Sequence, residues 1–195
     1  MFFIHPPSSH AAHQVSRALL AAAVSVFAFA AMPVSAQGTG SGTAGLSAMQ
    51  PANPDQQLLE NLAQASIAEI ETGKTALEKS TDPQVKKFAR QVIDDHNAAL
   101  KDLERLAQSR RMTVPKDADM QHKATGTALK LLSGDSFDKQ YMGRAGVNDH
   151  EQTVALLQKT RREARDPEVK ALAARMLPTV QQHLDTARQM AAQKK

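Results

Sequence analysis

Two nearly identical peptides, DPQVK at residues 82–86 and DPEVK at residues 166–170, decide the fold of this 195-residue chain. In each, an aspartate that can cap a helix is followed by a proline, which is favoured at the first helical position. Long segments with apolar residues at helical spacing lie on both sides of each peptide. Each peptide therefore predicts a tight turn between two antiparallel helices, and the repetition indicates internal duplication of one helical hairpin.

This pattern predicts four long helices, at about 54–79, 83–110, 136–164 and 167–192. Each is about 40 Å long, and a helix of that length needs neighbours to cover its apolar stripe. Asn53 is the expected N-cap of the first helix, with Gln56 as its capping-box partner. The connection at 111–135 contains a short helical stretch at 118–132 and either runs along the bundle or packs over one end. The sequence thus predicts an all-α, ferritin-like antiparallel four-helix bundle with a long crossover that contains a short extra helix.

The first 36 residues have the features of a secretory signal peptide. Arg17 precedes an apolar run at 18–31, and small residues before Ala36 form a cleavage site. The run is shorter than the roughly 20 residues that a membrane-spanning helix needs. Beyond the signal peptide (1–36) we expect a flexible Gly/Ser/Thr-rich linker (37–52), the bundle domain (53–192) and a tail (193–195). The prediction is a periplasmic or secreted protein, cleaved after Ala36, with no transmembrane span in the mature chain.

Composition excludes several classes of function. The chain has no Cys and no Trp, and beyond residue 30 only Phe88, Phe137 and Tyr141 are aromatic. Disulfide scaffolds, thiolate metal sites, Cys nucleophiles and aromatic platforms for nucleic acid are therefore excluded. The formal net charge of +4 is too small to argue for a nucleic-acid partner. A weak association with an anionic envelope surface stays open, and the sequence does not indicate an oligomeric state.

Each predicted long helix aims one titratable side chain inwards. These residues are Glu69, His96, His150 and His183, and each lies at helical spacing among apolar neighbours. Counted from the turns, they lie about 20–25 Å along helices of about 40 Å, so all four are expected near the middle of the bundle. Three imidazoles and a carboxylate suit Zn²⁺, Cu²⁺ or Fe, and the neighbouring Asp95 and Asp149 can orient the rings or add ligands. His122, in the crossover, is expected at the surface.

Two other interpretations of this polar layer stay open. A buried carboxylate among imidazoles can form a metal-free, hydrogen-bonded layer that fixes which helix faces which. The second interpretation is a metal-dependent redox enzyme. In ferritin-like proteins such chemistry uses a di-iron centre, which needs Glu-x-x-His on two helices. Ile93, Val147 and Val180 stand three residues before the histidines, so the di-iron motif is absent. Enzymatic function is therefore disfavoured, and we expect no catalytic residue.

Six short motifs in a fixed order resemble the domain of unknown function 4142. They are Glu69-Ile-Glu71-Thr-Gly73-Lys, Asp82-Pro-Gln-Val-Lys-Lys-Phe-Ala89, Asp94-Asp95-His96, Phe137-Asp138-x-x-Tyr141, Asp149-His150 and Leu177-Pro178-x-x-x-x-His183-Leu184. The resemblance covers roughly residues 55–190. It implies an exported bacterial protein of the ferritin-like superfamily and implies no established activity. We therefore expect a non-enzymatic, stress-related envelope protein that binds a metal ion, with a purely structural or interaction module as the alternative.

Overall fold

The computed structural model describes residues 53–194, so the predicted signal peptide, the linker and the last residue of the tail lie outside the described residues. The helices are α1 (Pro54–Lys79), α2 (Pro83–Ser109), α3 (Met120–Lys130), α4 (Gly134–Tyr141), α5 (His150–Glu163) and α6 (Pro167–Gln193). A π-helical segment (Met142–Asp149) joins α4 to α5 without a break. Residues 53–194 contain no strand, and the all-α prediction is confirmed. No helix within this range is both long enough and apolar enough to span a membrane.

The predicted N-caps begin three of the long helices. Asn53, Asp82 and Asp166 each accept a hydrogen bond from the backbone N–H two residues later, at 3.0, 2.7 and 2.7 Å. Each cap is followed by a proline, whose missing N–H costs nothing at the first helical position. The predicted capping-box role of Gln56 is wrong. Its side-chain amide instead donates to the Thr113 carbonyl, at 2.5 Å, and so ties α1 to the crossover.

Hydrogen bonds at the two ends of the molecule define the path of the chain. At one end, both carboxylate oxygens of Asp55 accept backbone N–H groups of the α5–α6 turn, from Arg165 at 2.8 Å and Asp166 at 2.7 Å. At the other end, Lys194 Nζ donates to Asp82 in the α1–α2 turn, at 2.7 Å. The two turns therefore lie at opposite ends, and the crossover runs the length of the molecule with α3 packed on α1.

Two large apolar clusters form most of the core, one towards each end, and a small third cluster joins α1 to the crossover through Ile67, Ala68 and Ala118. The first contains Leu59, Leu103 and Leu157, which are completely buried. The second is built around Phe88, Phe137 and Tyr141 with small and branched residues of α2 and α6, and its Phe137 and Tyr141 rings stack at 5.6 Å. Burying each large apolar side chain contributes about 1.5–3 kcal/mol to folding. A band of buried polar residues lies between the clusters.

The predicted third long helix differs most from expectation. It begins at Gly134 rather than near residue 136, and its middle third is the π-helical segment rather than α-helix. That segment contains Gly143 and Gly146, and glycine weakens an α-helix by about 1 kcal/mol relative to alanine. A Cβ on Gly146 would lie 3.2 Å from the Cβ of Ala187, so this segment packs very closely on α6. The segment ends immediately before His150.

Asp55→Ala is expected to destabilise the fold by about 3 kcal/mol, because two backbone N–H groups of the α5–α6 turn lose a buried, charged acceptor. The measurement is the free energy of unfolding from urea titration followed by circular dichroism. Asp117→Ala is the matched control, since the Asp117 side chain is 76% exposed in the crossover, and it is expected to change stability by less than about 0.5 kcal/mol. Equal effects of the two changes would contradict the role assigned to Asp55.

Candidate metal centre

Four helical elements each deliver one side chain to the middle of the molecule. Glu69 comes from α1, His96 from α2, His150 from the first residue of α5 and His183 from α6. All four residues are at most 2% exposed. We call these four residues the central polar layer. The structure thus brings together the four residues that the sequence singled out as inward-facing titratable groups.

The three imidazole rings of this layer form a nearly equilateral triangle. The ring centroids are 5.8 Å apart for His96 and His150, 5.6 Å for His96 and His183, and 5.4 Å for His150 and His183. One candidate ligand nitrogen from each ring lies within 4.8 Å of the other two. Tetrahedral ligands on bonds of about 2.1 Å lie about 3.4 Å apart, so the rings need to move by only about 1 Å to share an ion.

The carboxylate of Glu69 lies against two of the rings. Its Oε2 is 2.6 Å from His96 Nε2, and its Oε1 is 3.7 Å from His150 Nδ1. Oε1 also accepts a hydrogen bond from the Thr153 hydroxyl at 3.0 Å. Glu69 therefore has one oxygen held by Thr153 and the other directed at a histidine nitrogen.

Groups outside the layer contact one nitrogen of each imidazole ring and leave the other nitrogen to face a ligand. His150 Nδ1 donates to the Ala145 carbonyl at 2.8 Å, and His183 Nε2 donates to Asp95 at 2.9 Å. His96 Nδ1 lies 3.5 Å from the hydroxyl of Ser66. Because a carbonyl and a carboxylate only accept, the neutral rings of His150 and His183 carry their lone pairs on the other nitrogen. Such outer hydrogen bonds orient histidines in protein metal sites.

One buried atom of each residue in the layer remains without a hydrogen-bond partner. These atoms are His96 Nε2, His150 Nε2, His183 Nδ1 and Glu69 Oε2. The close contact between Glu69 and His96 is not aligned as a hydrogen bond, so it does not satisfy either atom. Buried polar atoms without partners are rare in proteins. Three nitrogens and one oxygen, one from each long helix, are thus compatible with binding a single metal ion.

The electrostatics of the layer favour the ionised form of Glu69 and the neutral form of His183. Burial opposes ionisation of Glu69, but the His150 and His96 rings and the Thr153 hydrogen bond outweigh it and lower the carboxyl pKa from 4.5 to about 2. Burial lowers the pKa of the His183 ring below 6.5, although its bond to Asp95 acts in the opposite sense. An ionised carboxylate and a neutral imidazole are the ligand states that coordinate a metal ion.

Asp95 and Asp149, which the sequence predicts to orient the histidine rings, have different environments. Asp95 contacts His183, as an orienting residue would. Asp149 is half-buried, with burial raising the pKa of its carboxyl, and the carbonyl of Ala145, rather than Asp149, holds the His150 ring. The side chain of His122 is 19% exposed and bonds to Asp119 at 2.8 Å, so it is partly buried rather than a free surface residue.

Sequence reasoning missed Ser66 and Thr153, although a usable signal existed. Ser66 precedes Glu69 by three residues and Thr153 follows His150 by three, and residues three apart share a helix face. Both are almost completely buried. A hydroxyl on the same face as an inward titratable residue therefore indicates an outer hydrogen-bond partner.

Comparison with protein families identifies one match. The model of DUF4142, a domain of unknown function, matches residues 41–190. No curated protein matches the chain.

Solved structures with a similar fold include two DUF305 proteins and CopM. A DUF305 fragment from Deinococcus radiodurans is 19% identical, with a TM-score of 0.64, and the match covers 74% of this chain and 99% of that one. CopM in its Cu(II)-bound form is 20% identical, with a TM-score of 0.62, over 72% of this chain and 97% of that one. A DUF305 protein from Streptomyces coelicolor, described as a candidate secreted protein, is 13% identical, with a TM-score of 0.62, over 72% and 93%. At these identities the likeness shows a shared helical fold.

Glu69→Ala is expected to lower the stability of metal-free protein by about 1–3 kcal/mol, because Thr153 loses a buried acceptor and the His96 ring loses its close contact with a carboxylate. Urea titration in the presence of EDTA measures the change. Glu71→Ala, at an exposed position of the same helix, is the matched control and is expected to be nearly neutral. A Glu69→Ala protein as stable as the Glu71→Ala protein would show that the carboxylate contributes nothing to the metal-free core.

Proposed function

The chain belongs to the DUF4142 family, and we propose that its central polar layer binds a single transition-metal ion. One observation carries the proposal. Each of the four long helices presents one buried atom without a hydrogen-bond partner (Glu69 Oε2, His96 Nε2, His150 Nε2 and His183 Nδ1). Candidate ligand nitrogens of the three histidines lie within 4.8 Å of one another, and the Glu69 carboxylate lies against two of these rings. A metal ion can satisfy these atoms at once, because neutral imidazole nitrogens and a carboxylate oxygen all donate lone pairs to it.

The donor set favours a divalent ion of intermediate softness. Three imidazole nitrogens and one carboxylate oxygen suit Cu²⁺, Zn²⁺ or Fe²⁺, and among these the affinity of such sites is highest for Cu²⁺. CopM, which shares the fold, has been solved with Cu(II), Cu(I) and Ag bound. This likeness supports testing copper first. The layer contains no thioether or thiolate ligand, and that composition favours Cu²⁺ over Cu⁺.

A site with four protein ligands is more typical of a protein that binds a metal ion than of one that uses the ion in catalysis. Catalytic zinc sites usually have three protein ligands and keep one position for water or substrate. With Glu69 as the fourth ligand beside the three histidines, the proposed site fills that position with a protein group, and outer hydrogen bonds to Ala145 and Asp95 fix two of the rings. We therefore propose a binding role, such as sequestering a metal ion under metal stress.

We also propose that the protein acts outside the cytoplasm, in the periplasm or as a secreted protein. The signal-peptide features of residues 1–36 support export, and so does the description of the Streptomyces coelicolor protein of the same fold as a candidate secreted protein.

We further propose that the domain is a ferritin-like four-helix bundle. The antiparallel hairpins, joined by a crossover that runs the length of the bundle, support this assignment.

A metal-free structural layer is the second candidate function. The short distance between Glu69 Oε2 and His96 Nε2, 2.6 Å, favours it, because that contact offsets part of the cost of burial without an ion. In this alternative the layer fixes which helices face each other, and the domain acts as a structural or interaction module.

Purified protein is expected to bind one equivalent of Cu²⁺ or Zn²⁺ and to lose it in the His96→Ala/His150→Ala double variant. Elemental analysis after dialysis measures the stoichiometry. At a free metal concentration 100 times Kd, binding stabilises the fold by about 2.7 kcal/mol, which raises Tm. His122→Ala is the matched control and is expected to bind metal normally. An unchanged Tm on adding Cu²⁺, Zn²⁺ or Fe²⁺ to metal-free protein would leave the structural layer as the function.

Asp95→Ala is expected to weaken metal affinity by about 10- to 100-fold, because the His183 ring loses the hydrogen bond that fixes its orientation. Competition with a chelator of known affinity measures Kd. Asp94→Ala, at the exposed neighbouring position, is the control. Equal affinities of the two variants would show that Asp95 does not position His183.

A further inference from the structure

A groove between α2 and α6 leads from solvent to one side of the central polar layer. It has a volume of about 230 Å³, far more than the roughly 10–15 Å³ that one water molecule needs on the same measure. His96 lines it from α2, and Met176, Thr179 and Arg175 line it from α6. Although His96 is only 2% exposed, it is therefore the ligand residue that borders a space large enough for a hydrated metal ion.

Charged and soft side chains line this groove. Asp95 and Asp102 are carboxylates with 39% and 47% of their side chains exposed. Asp102 is paired with Arg105 at 3.1 Å, and the guanidinium of Arg175 adds a second positive charge to the rim. Asp95 is thus the groove carboxylate without a cationic partner, and its other contact is the neutral ring of His183 at 2.9 Å.

Asp95 connects the groove to a second ligand residue. Asp95 lines the groove with 39% of its side chain exposed, and its carboxylate accepts the hydrogen bond from His183 Nε2. A cation that meets Asp95 in the groove is therefore next to His96 and one hydrogen bond from His183. Met176, just beyond, offers a thioether sulfur, which is a weak ligand for soft ions.

A second pocket lies on another side of the layer, between α1, the start of α3 and α5. It is lined by Asn61, Gln64, His122, Gln152 and Thr153. Its deepest contact with the layer is through Thr153, which bonds to Glu69. A hydroxyl therefore separates this pocket from the ligand atoms, whereas a ligand residue itself forms the wall of the α2–α6 groove.

We propose that the α2–α6 groove is the route by which a hydrated transition-metal ion reaches and leaves the central polar layer, with Asp95 as the first protein ligand that it meets. This inference rests on the proposed metal binding. An ion that passes this way exchanges water for the Asp95 carboxylate and then for His96 Nε2. The groove therefore controls how fast the ion exchanges, while the buried layer controls how tightly it is held.

The test is to narrow the groove without touching a ligand. Thr179→Phe fills the groove from α6, and Ala98→Phe, at an exposed position, fills it from α2. Thr186→Phe is the matched control, because Thr186 is also partly buried on α6, about two turns further on and outside the groove. Gln152→Phe narrows the second pocket instead.

Tyr141 provides the signal for a stopped-flow measurement with Cu²⁺. It is the only tyrosine in a chain without tryptophan. Phe88 separates it from the layer, with ring centroids 6.4 Å from Tyr141 and 6.1 Å from His150. Bound Cu²⁺ is therefore expected to quench its fluorescence. Chelator competition gives Kd for each variant, and circular dichroism confirms that each is folded.

Thr179→Phe and Ala98→Phe are expected to slow both association and dissociation of Cu²⁺ by about tenfold while leaving Kd within about twofold, since a narrowed route changes rates and not the bound state. Thr186→Phe and Gln152→Phe are expected to exchange Cu²⁺ at the rate of the unchanged protein. Normal rates in both groove variants, or slowing by Gln152→Phe alone, would overturn the route and leave metal binding intact. Failure of the unchanged protein to bind any Cu²⁺ would instead overturn the proposed function, and the route with it.

Discussion

Burial of one carboxylate among three imidazoles is the constraint on which the rest of the structure depends. Glu69 is 2% exposed, and withdrawing an ionised carboxylate from water costs several kcal/mol unless protein groups replace the water. Those groups come from α2 (His96) and α5 (His150 and Thr153). The depth and the rotation of α1, α2 and α5 must therefore suit the same few atoms, and the His183 ring places α6 against the same two imidazoles. Apolar helices can slide against one another at little cost, whereas a hydrogen-bonded polar layer fixes one arrangement.

Much of this arrangement follows from local sequence signals. Asp82 and Asp166 with the prolines after them mark both turns, because capping and the fixed φ of proline depend on a few adjacent residues. The inward direction of Glu69, His96 and His183 follows from helical periodicity alone. Their common depth follows from counting residues along rigid rods with a constant rise. These features could be predicted since none depends on a distant part of the chain.

The remaining features depend on distant contacts or on backbone detail that periodicity does not contain. Gln56 matches a capping box but bonds to Thr113, because the crossover offers a competing acceptor close to α1. The π-helical segment before His150 changes the backbone geometry, and the carbonyl of Ala145, five residues back, takes the position expected for Asp149. The pattern shows that a polar residue points inwards, but it does not show which groups surround it.

The end-to-end hydrogen bonds also bear on how the molecule comes apart. Asp55, at the start of α1, is held by the turn of the second hairpin, and Lys194, after α6, is held by the turn of the first. Lys194 also lies 3.5 Å from Asp138, a completely buried carboxylate. Separating the start of α1 or the end of α6 from the bundle therefore breaks hydrogen bonds to the turn of the opposite hairpin. The two hairpins hold each other's ends, so we expect them to unfold together rather than one helix at a time.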